Sequence, residues 1–93
     1  MYELLDEYLN YLIAERRLSQ NTIQAYSADL IEFITFLKCE GLHDFKEKGK
    51  EDILNYLTKL RKKGLSSSSL MRHLASIKGL YRFLLRENYI NNN

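Results

Sequence analysis

Residues 64–87 read GLSSSSLMRHLASIKGLYRFLLRE, and the periodicity of this stretch decides the fold class. At about 100° per residue, Leu70, Leu74, Ile77, Tyr81 and Leu84 share one side of a helix, and Ser68, Arg72, Ala75, Ser76, Gly79, Arg82 and Arg86 share the other. Gly64 is a natural stop for whatever precedes it, and the four serines that follow offer a choice of N-caps, because a serine oxygen can accept an orphan amide of a first turn. The helical pattern starts immediately behind those serines, so they read as a short turn rather than a linker, and the helix runs to about Glu87.

Working upstream, Ile53, Tyr56, Leu57 and Leu60 mark a helix that starts at Glu51, with Glu51 and Asp52 at its positive end and Arg61, Lys62 and Lys63 at its negative end. Residues 42–50 read as a loop. Before them, Thr22, Ile23, Tyr26, Leu30, Phe33, Ile34 and Leu37 form the stripe of a helix over about Gln20–Glu40, capped by Ser19 and stopped by Gly41. A first helix over about Tyr2–Arg17 carries Leu4, Leu5, Tyr8, Leu9, Leu12 and Ile13. No stretch alternates like a strand and nothing repeats, so the expectation is all-α: a compact four-helix domain over residues 1–90, with Asn91, Asn92 and Asn93 as a frayed tail.

With 93 residues, 45% of them hydrophobic and 28% charged, such a chain can build a core without disulfides or metals. The single Cys39 cannot form an internal disulfide and reads as a semi-buried free thiol. No leader and no long apolar run is present, which predicts a cytoplasmic protein with no membrane contact. The net charge of +2 hides an asymmetry, since residues 1–52 carry eleven acids against six bases while residues 53–86 carry eight bases and no acid. Those cations must face water, the acidic half, or an external polyanion.

Catalytic chemistry is missing. His43 and His73 have no nucleophile or metal-spaced partner nearby, the carboxylates are scattered on solvent-type positions, and there is no glycine-rich phosphate loop. No enzyme activity, metal, cofactor or small-molecule substrate is expected. Tyr8, Tyr26, Tyr56 and Tyr81 lie on inward stripes and read as core.

What the sequence does offer is the outer face of the last helix, which alternates long cations with the smallest residues. A mid-helix glycine costs about 0.5–1 kcal/mol against alanine, so Gly79 calls for a close approach. Two partners fit: the wall of a DNA major groove, with phosphates meeting Arg72, Lys78, Arg82 and Arg86, or a neighbouring helix. The helix starts at Ser19-Gln20-Asn21-Thr22 and at Ser67-Ser68-Ser69 suit a phosphate, and plain capping explains them equally well. If the partner is DNA, the candidate contacts are Ser19, Asn21, Thr22, Ser68, Ser69, Arg72, Ser76, Lys78 and Arg82. Arg72 is placed outward and Lys78 on the shoulder of the apolar stripe, so neither should matter to stability. Phe83 falls on the outward side, beside Arg72 and Gly79; the expectation is that the first helix covers it and leaves only about Ser68–Gly79 facing outward.

Leu18-Ser19-x-x-Thr22-x-x-x-Tyr26-x-x-Asp29-Leu30-x-x-Phe33, then Glu51-Asp52-Ile53-x-x-Tyr56-Leu57, then Gly64-Leu65-Ser66-x-x-Ser69-x-x-Arg72-x-Leu74-x-x-Ile77-Lys78-x-Leu80-Tyr81 resemble the N-terminal core-binding, SAM-like domain of tyrosine recombinases of the phage integrase and Xer type. The resemblance implies a four-helix jaw of a clamp around duplex DNA, with the second and fourth helices near the major groove. It also implies a catalytic domain C-terminal to this one as partner, and a parent protein that oligomerises on DNA. Thr22, Arg72 and Lys78 match the family's positions, whereas Ser69 replaces its usual threonine, Ala75-Ser76 reverses its Ser-Ala order, and Asn91-Asn92-Asn93 stands where Asn-Pro commonly closes the domain. The alternative reading is a helical protein-interaction module whose basic face meets an acidic protein.

Overall fold

The computed structural model describes residues 1–46 and 50–91, which form α1 (Tyr2–Ala14), α2 (Gln20–Cys39), α3 (Lys50–Lys62) and α4 (Ser67–Arg86) and no strand. Residues 47–49 of the expected loop, and Asn92 and Asn93 of the expected tail, lie outside the described residues. None of these helices is long and apolar enough to cross a membrane.

The two long helices begin in the same way. Ser19 Oγ accepts from the Thr22 amide at 3.2 Å, and Ser66 Oγ accepts from the Ser69 amide at 3.3 Å. Ser66 is thus the cap among the four serines, in extended geometry at φ −69° and ψ 161°. In both cases the residue before the cap and the residue five further on, Leu18 with Ile23 and Leu65 with Leu70, pack partly buried on the core, the arrangement that fixes the entry angle of a chain. The stops at Gly41 (φ 81°) and Gly64 (φ 95°) use the left-handed region that glycine enters without strain, with Leu42 N donating to Leu37 O and Leu65 N to Leu60 O. α1 ends at Ala14, three residues earlier than its sequence pattern predicts, and Arg17 turns the chain at φ 50°.

α2 and α4 supply the centre of the core: Leu30, Phe33 and Ile34 face Ile77, Leu80 and Leu84, all fully buried. Phe33 meets Tyr56 of α3 at 5.3 Å between ring centroids, and Phe45 from the loop meets Tyr81 at 5.9 Å. α1 lies across both long helices through Leu5, Tyr8 and Leu12. Cys39, expected to be half-buried, is exposed at the end of α2.

Candidate nucleic-acid interface

α4 is packed by α1, α2 and α3, and that crowding sets which of its faces is free. Its buried side is His73, Ser76, Ile77, Leu80, Phe83 and Leu84, roughly a quarter turn away from the face expected from Leu70, Leu74 and Tyr81, which are only half-buried. The rotation removes Ser76 from the candidate contacts. Its side chain is 0% exposed, and its hydroxyl donates to the His73 carbonyl at 2.9 Å, so no ligand can touch it.

Phe83 is 7% exposed and lies between Tyr8 and Tyr11 of α1, at centroid distances of 5.4 and 5.2 Å. α1 therefore covers Phe83 as expected, but Arg82 and Arg86 stay exposed, so the open face of α4 runs past Gly79. α1 also decides between the two partners for Gly79: a Cβ there would collide with the Tyr8 hydroxyl, so helix packing, not a DNA groove, accounts for this glycine. Burial raises the Tyr8 hydroxyl to a pKa of about 12, and it stays a neutral donor.

Arg72 is not the free cation its outward position implied. Its Nε donates to Asp29 Oδ2 at 2.9 Å and its Nη2 to Asp29 Oδ1 at 3.0 Å. Asp29, on α2, is only 4% exposed, and His73 Nε2 lies 3.5 Å from the same carboxylate. The bidentate fork joins the two long helices, and the carboxylate raises the Arg72 pKa above its ordinary value, through the hydrogen bond first and the charge second. Half of the Arg72 side chain remains exposed, so the fork lies at the edge of the surface rather than in the core. Asp29 was not among the sequence candidates. Its signal was present, because a carboxylate between Tyr26 and Phe33 on an apolar stripe needs a cation from elsewhere.

At the start of α2, Ser19 and Thr22 are committed to each other: Ser19 Oγ donates to Thr22 Oγ1 at 2.9 Å while accepting the Thr22 amide. Asn21 is exposed. At the start of α4, Ser68 is exposed and Ser69 half-buried, and both hydroxyls lie within 3.2 Å of Ser66 Oγ. Capping therefore accounts for the Ser19, Thr22, Ser66 and Ser69 hydroxyls, and leaves Ser68 exposed beside them.

What remains open on α4 is a stripe of Ser68, Met71, Arg72, Ala75, Lys78 and Arg82, all exposed. Arg72 and Arg82 are ten residues apart, or about 15 Å along the axis, comparable with the roughly 12 Å width of a B-DNA major groove. Lys59, Lys62 and Lys63 form a second cationic patch around a shallow depression at the end of α3, where they complement the helix dipole. Among the described residues, the ion pairs of the basic half are those of Arg72 with Asp29 and of Arg86 with the adjacent Glu87 at 3.4 Å. Described His, Cys, Asp and Glu side chains nowhere gather in a group of three that could hold a metal ion.

The family described as phage integrase, N-terminal SAM-like domain, matches residues 5–88. The chain is 37% identical over 91 residues to the tyrosine recombinase XerC of Listeria welshimeri, covering 98% of this chain and 30% of that protein. It is 34% identical over 88 residues to XerD of Listeria monocytogenes and 35% identical over 86 residues to XerC of Bacillus subtilis, covering 94% and 92% of this chain. It spans about 30% of the length of these curated relatives. No solved structure matches it.

Proposed function

The chain belongs to the phage integrase N-terminal SAM-like family, and from that premise we propose that it is the non-catalytic DNA-gripping domain of a site-specific tyrosine recombinase. The observation that carries this reading is the exposed stripe of α4, in which Lys78, Arg82 and the half-exposed Arg72, forked to Asp29, stand among Ser68, Met71 and Ala75. Of the sequence candidates, Arg72, Lys78, Arg82 and Ser68 form this contact surface, with Asn21 at the start of α2 as a second point. Ser19, Thr22 and Ser69 shape the helix starts, and their role on DNA is limited to presenting first-turn amides to a phosphate. The attacking tyrosine and its helpers would belong to a catalytic domain outside residues 1–93, and the recombinase would act in the cytoplasm as an oligomer on duplex DNA.

Titration of the chain with duplex DNA at several salt concentrations tests the reading. A surface that meets roughly four to six phosphates gives a slope of about −4 to −5 in log affinity against log salt. Absence of duplex binding in dilute salt refutes it. A second reading, a protein-interaction surface, draws on a different face: Ile13 and Ile31, 54% and 44% exposed, border a cleft of about 570 Å³ between α1 and α2. Association through that cleft would persist at salt concentrations that abolish DNA binding.

A further inference from the structure

We propose that the groove between α1 and α4 at Gly79 is a pocket for one phosphate of the DNA backbone. The groove has a volume of about 220 Å³ and is lined by Tyr8, Tyr11, Arg16, Gly79, Arg82 and Arg86 together with apolar side chains of Leu12 and Phe83. Three arginines line the groove and no carboxylate does, with Arg86 also held to Glu87 at 3.4 Å on its other side. Like charges gathered in a concavity repel one another, and a phosphate relieves that repulsion while matching the planar fork of each guanidinium.

The hydroxyls are arranged to help. Arg86 Nη1 donates to the Tyr11 hydroxyl at 3.0 Å, and its guanidinium lies 4.4 Å over the Tyr11 ring. The Tyr11 hydroxyl accepts from arginine, so its own proton is free to be donated to an anion, and Arg86 first and Arg16 after it make that hydroxyl more acidic than an ordinary phenol. The Tyr8 hydroxyl rests against Gly79 and feels Arg16 and Arg82 together. The adjoining depression shares Tyr11, Arg16, Phe83 and Arg86 with this groove and carries Glu7, Glu15 and Glu87, whereas Gly79 and Arg82 line the groove and not that depression, so the Arg82 side is the one farther from the acids.

The phosphate is assigned to DNA because Arg82 belongs to both the groove and the exposed stripe of α4, which makes the two surfaces continuous. This assignment rests on the DNA-binding reading above. The pocket is distinct from the helix starts, since it is built from side chains of α1, the turn after it and the last turns of α4.

The test is an NMR titration of the 93-residue chain, first with inorganic phosphate and then with a short duplex in dilute salt. The Gly79 amide and the Arg16 and Arg82 side-chain N–H signals should shift with both ligands. Arg16→Gln and Arg82→Gln should each weaken duplex binding several-fold and reduce the salt slope by about one. Arg16→Lys and Arg82→Lys, which keep the charge and lose the fork, should fall between. If the duplex binds while the groove signals stay still and Arg16→Gln keeps the full salt slope, the pocket is refuted and the DNA-binding reading survives, whatever Arg82→Gln does, because Arg82 also belongs to the exposed stripe. If the unaltered chain binds no duplex, that reading and the DNA assignment fall together, and an acidic peptide that shifts the groove where duplex does not has the same consequence.

Discussion

Arg72→Ala should destabilise the fold by about 2–3 kcal/mol, although the helical wheel alone places this residue on a free surface. Asp29 is 4% exposed and takes both of its close hydrogen bonds, at 2.9 and 3.0 Å, from Arg72. Truncation leaves the carboxylate buried with only His73 Nε2 at 3.5 Å. Stripping one partner from a fully buried ion pair costs about 3–5 kcal/mol. The Arg72 side chain is 50% exposed, so water can enter the vacated space and the cost falls toward the lower figure. For a domain of this size that corresponds to a drop in Tm on the order of 10–20 °C. Asp29→Asn should cost less, about 1–2 kcal/mol, because the orphaned cation can turn to solvent. The double variant Arg72→Ala/Asp29→Asn should be more stable than the sum of the single effects, since the stranded charge is gone. Urea unfolding followed by far-UV circular dichroism measures all three. An Arg72→Ala chain within about 0.5 kcal/mol of the parent, or strict additivity in the double variant, would refute the buried-carboxylate argument. DNA-binding losses in Arg72→Ala must accordingly be measured where that variant is still folded.

Gly79→Ala should lower stability by about 1–2 kcal/mol despite the better helix propensity of alanine, because the new methyl meets the Tyr8 hydroxyl, and Tyr8→Phe in the same chain should recover most of the loss; equal unfolding midpoints for Gly79→Ala and parent would contradict the contact. Phe83→Ala should cost about 3 kcal/mol or more by thermal or urea unfolding, since the ring is 7% exposed between Tyr8 and Tyr11. Burial pushes the Tyr8 and Tyr81 hydroxyls up to about 12 from an ordinary value of 10.0, so the neutral phenol is the form the fold favours. The stability they protect is whole below pH 10 and is lost as pH rises from 10 toward 12, which urea midpoints and tyrosinate absorbance should show together. Tyr81→Phe should flatten that alkaline decline, and an unchanged slope would remove Tyr81 as a cause.

The helices themselves were legible in the sequence, because their determinants are local. Ser19 and the serines before Leu70 cap, Gly41 and Gly64 stop, and apolar residues at three- and four-residue steps mark the inward stripes, so the ends of α2 fall within one residue of the structure. The acid-free charge of residues 53–86 was legible too, as was the cover over Phe83, whose misplacement on the wheel required a partner. The rotation of α4 was not. A helical wheel ranks faces by composition, whereas the buried face of a helix is set by how many neighbours surround it, and three helices draw in His73, Ser76 and Leu80. Asp29 lies 43 residues from Arg72 in the chain, and nothing local to either reports a fork between them. The arginine groove likewise needs Arg16 from the end of the first helical pattern beside Arg82 and Arg86. Which charges are committed and which are free depends on distances across the fold, and those exist only once α1 and α2 have packed against α4.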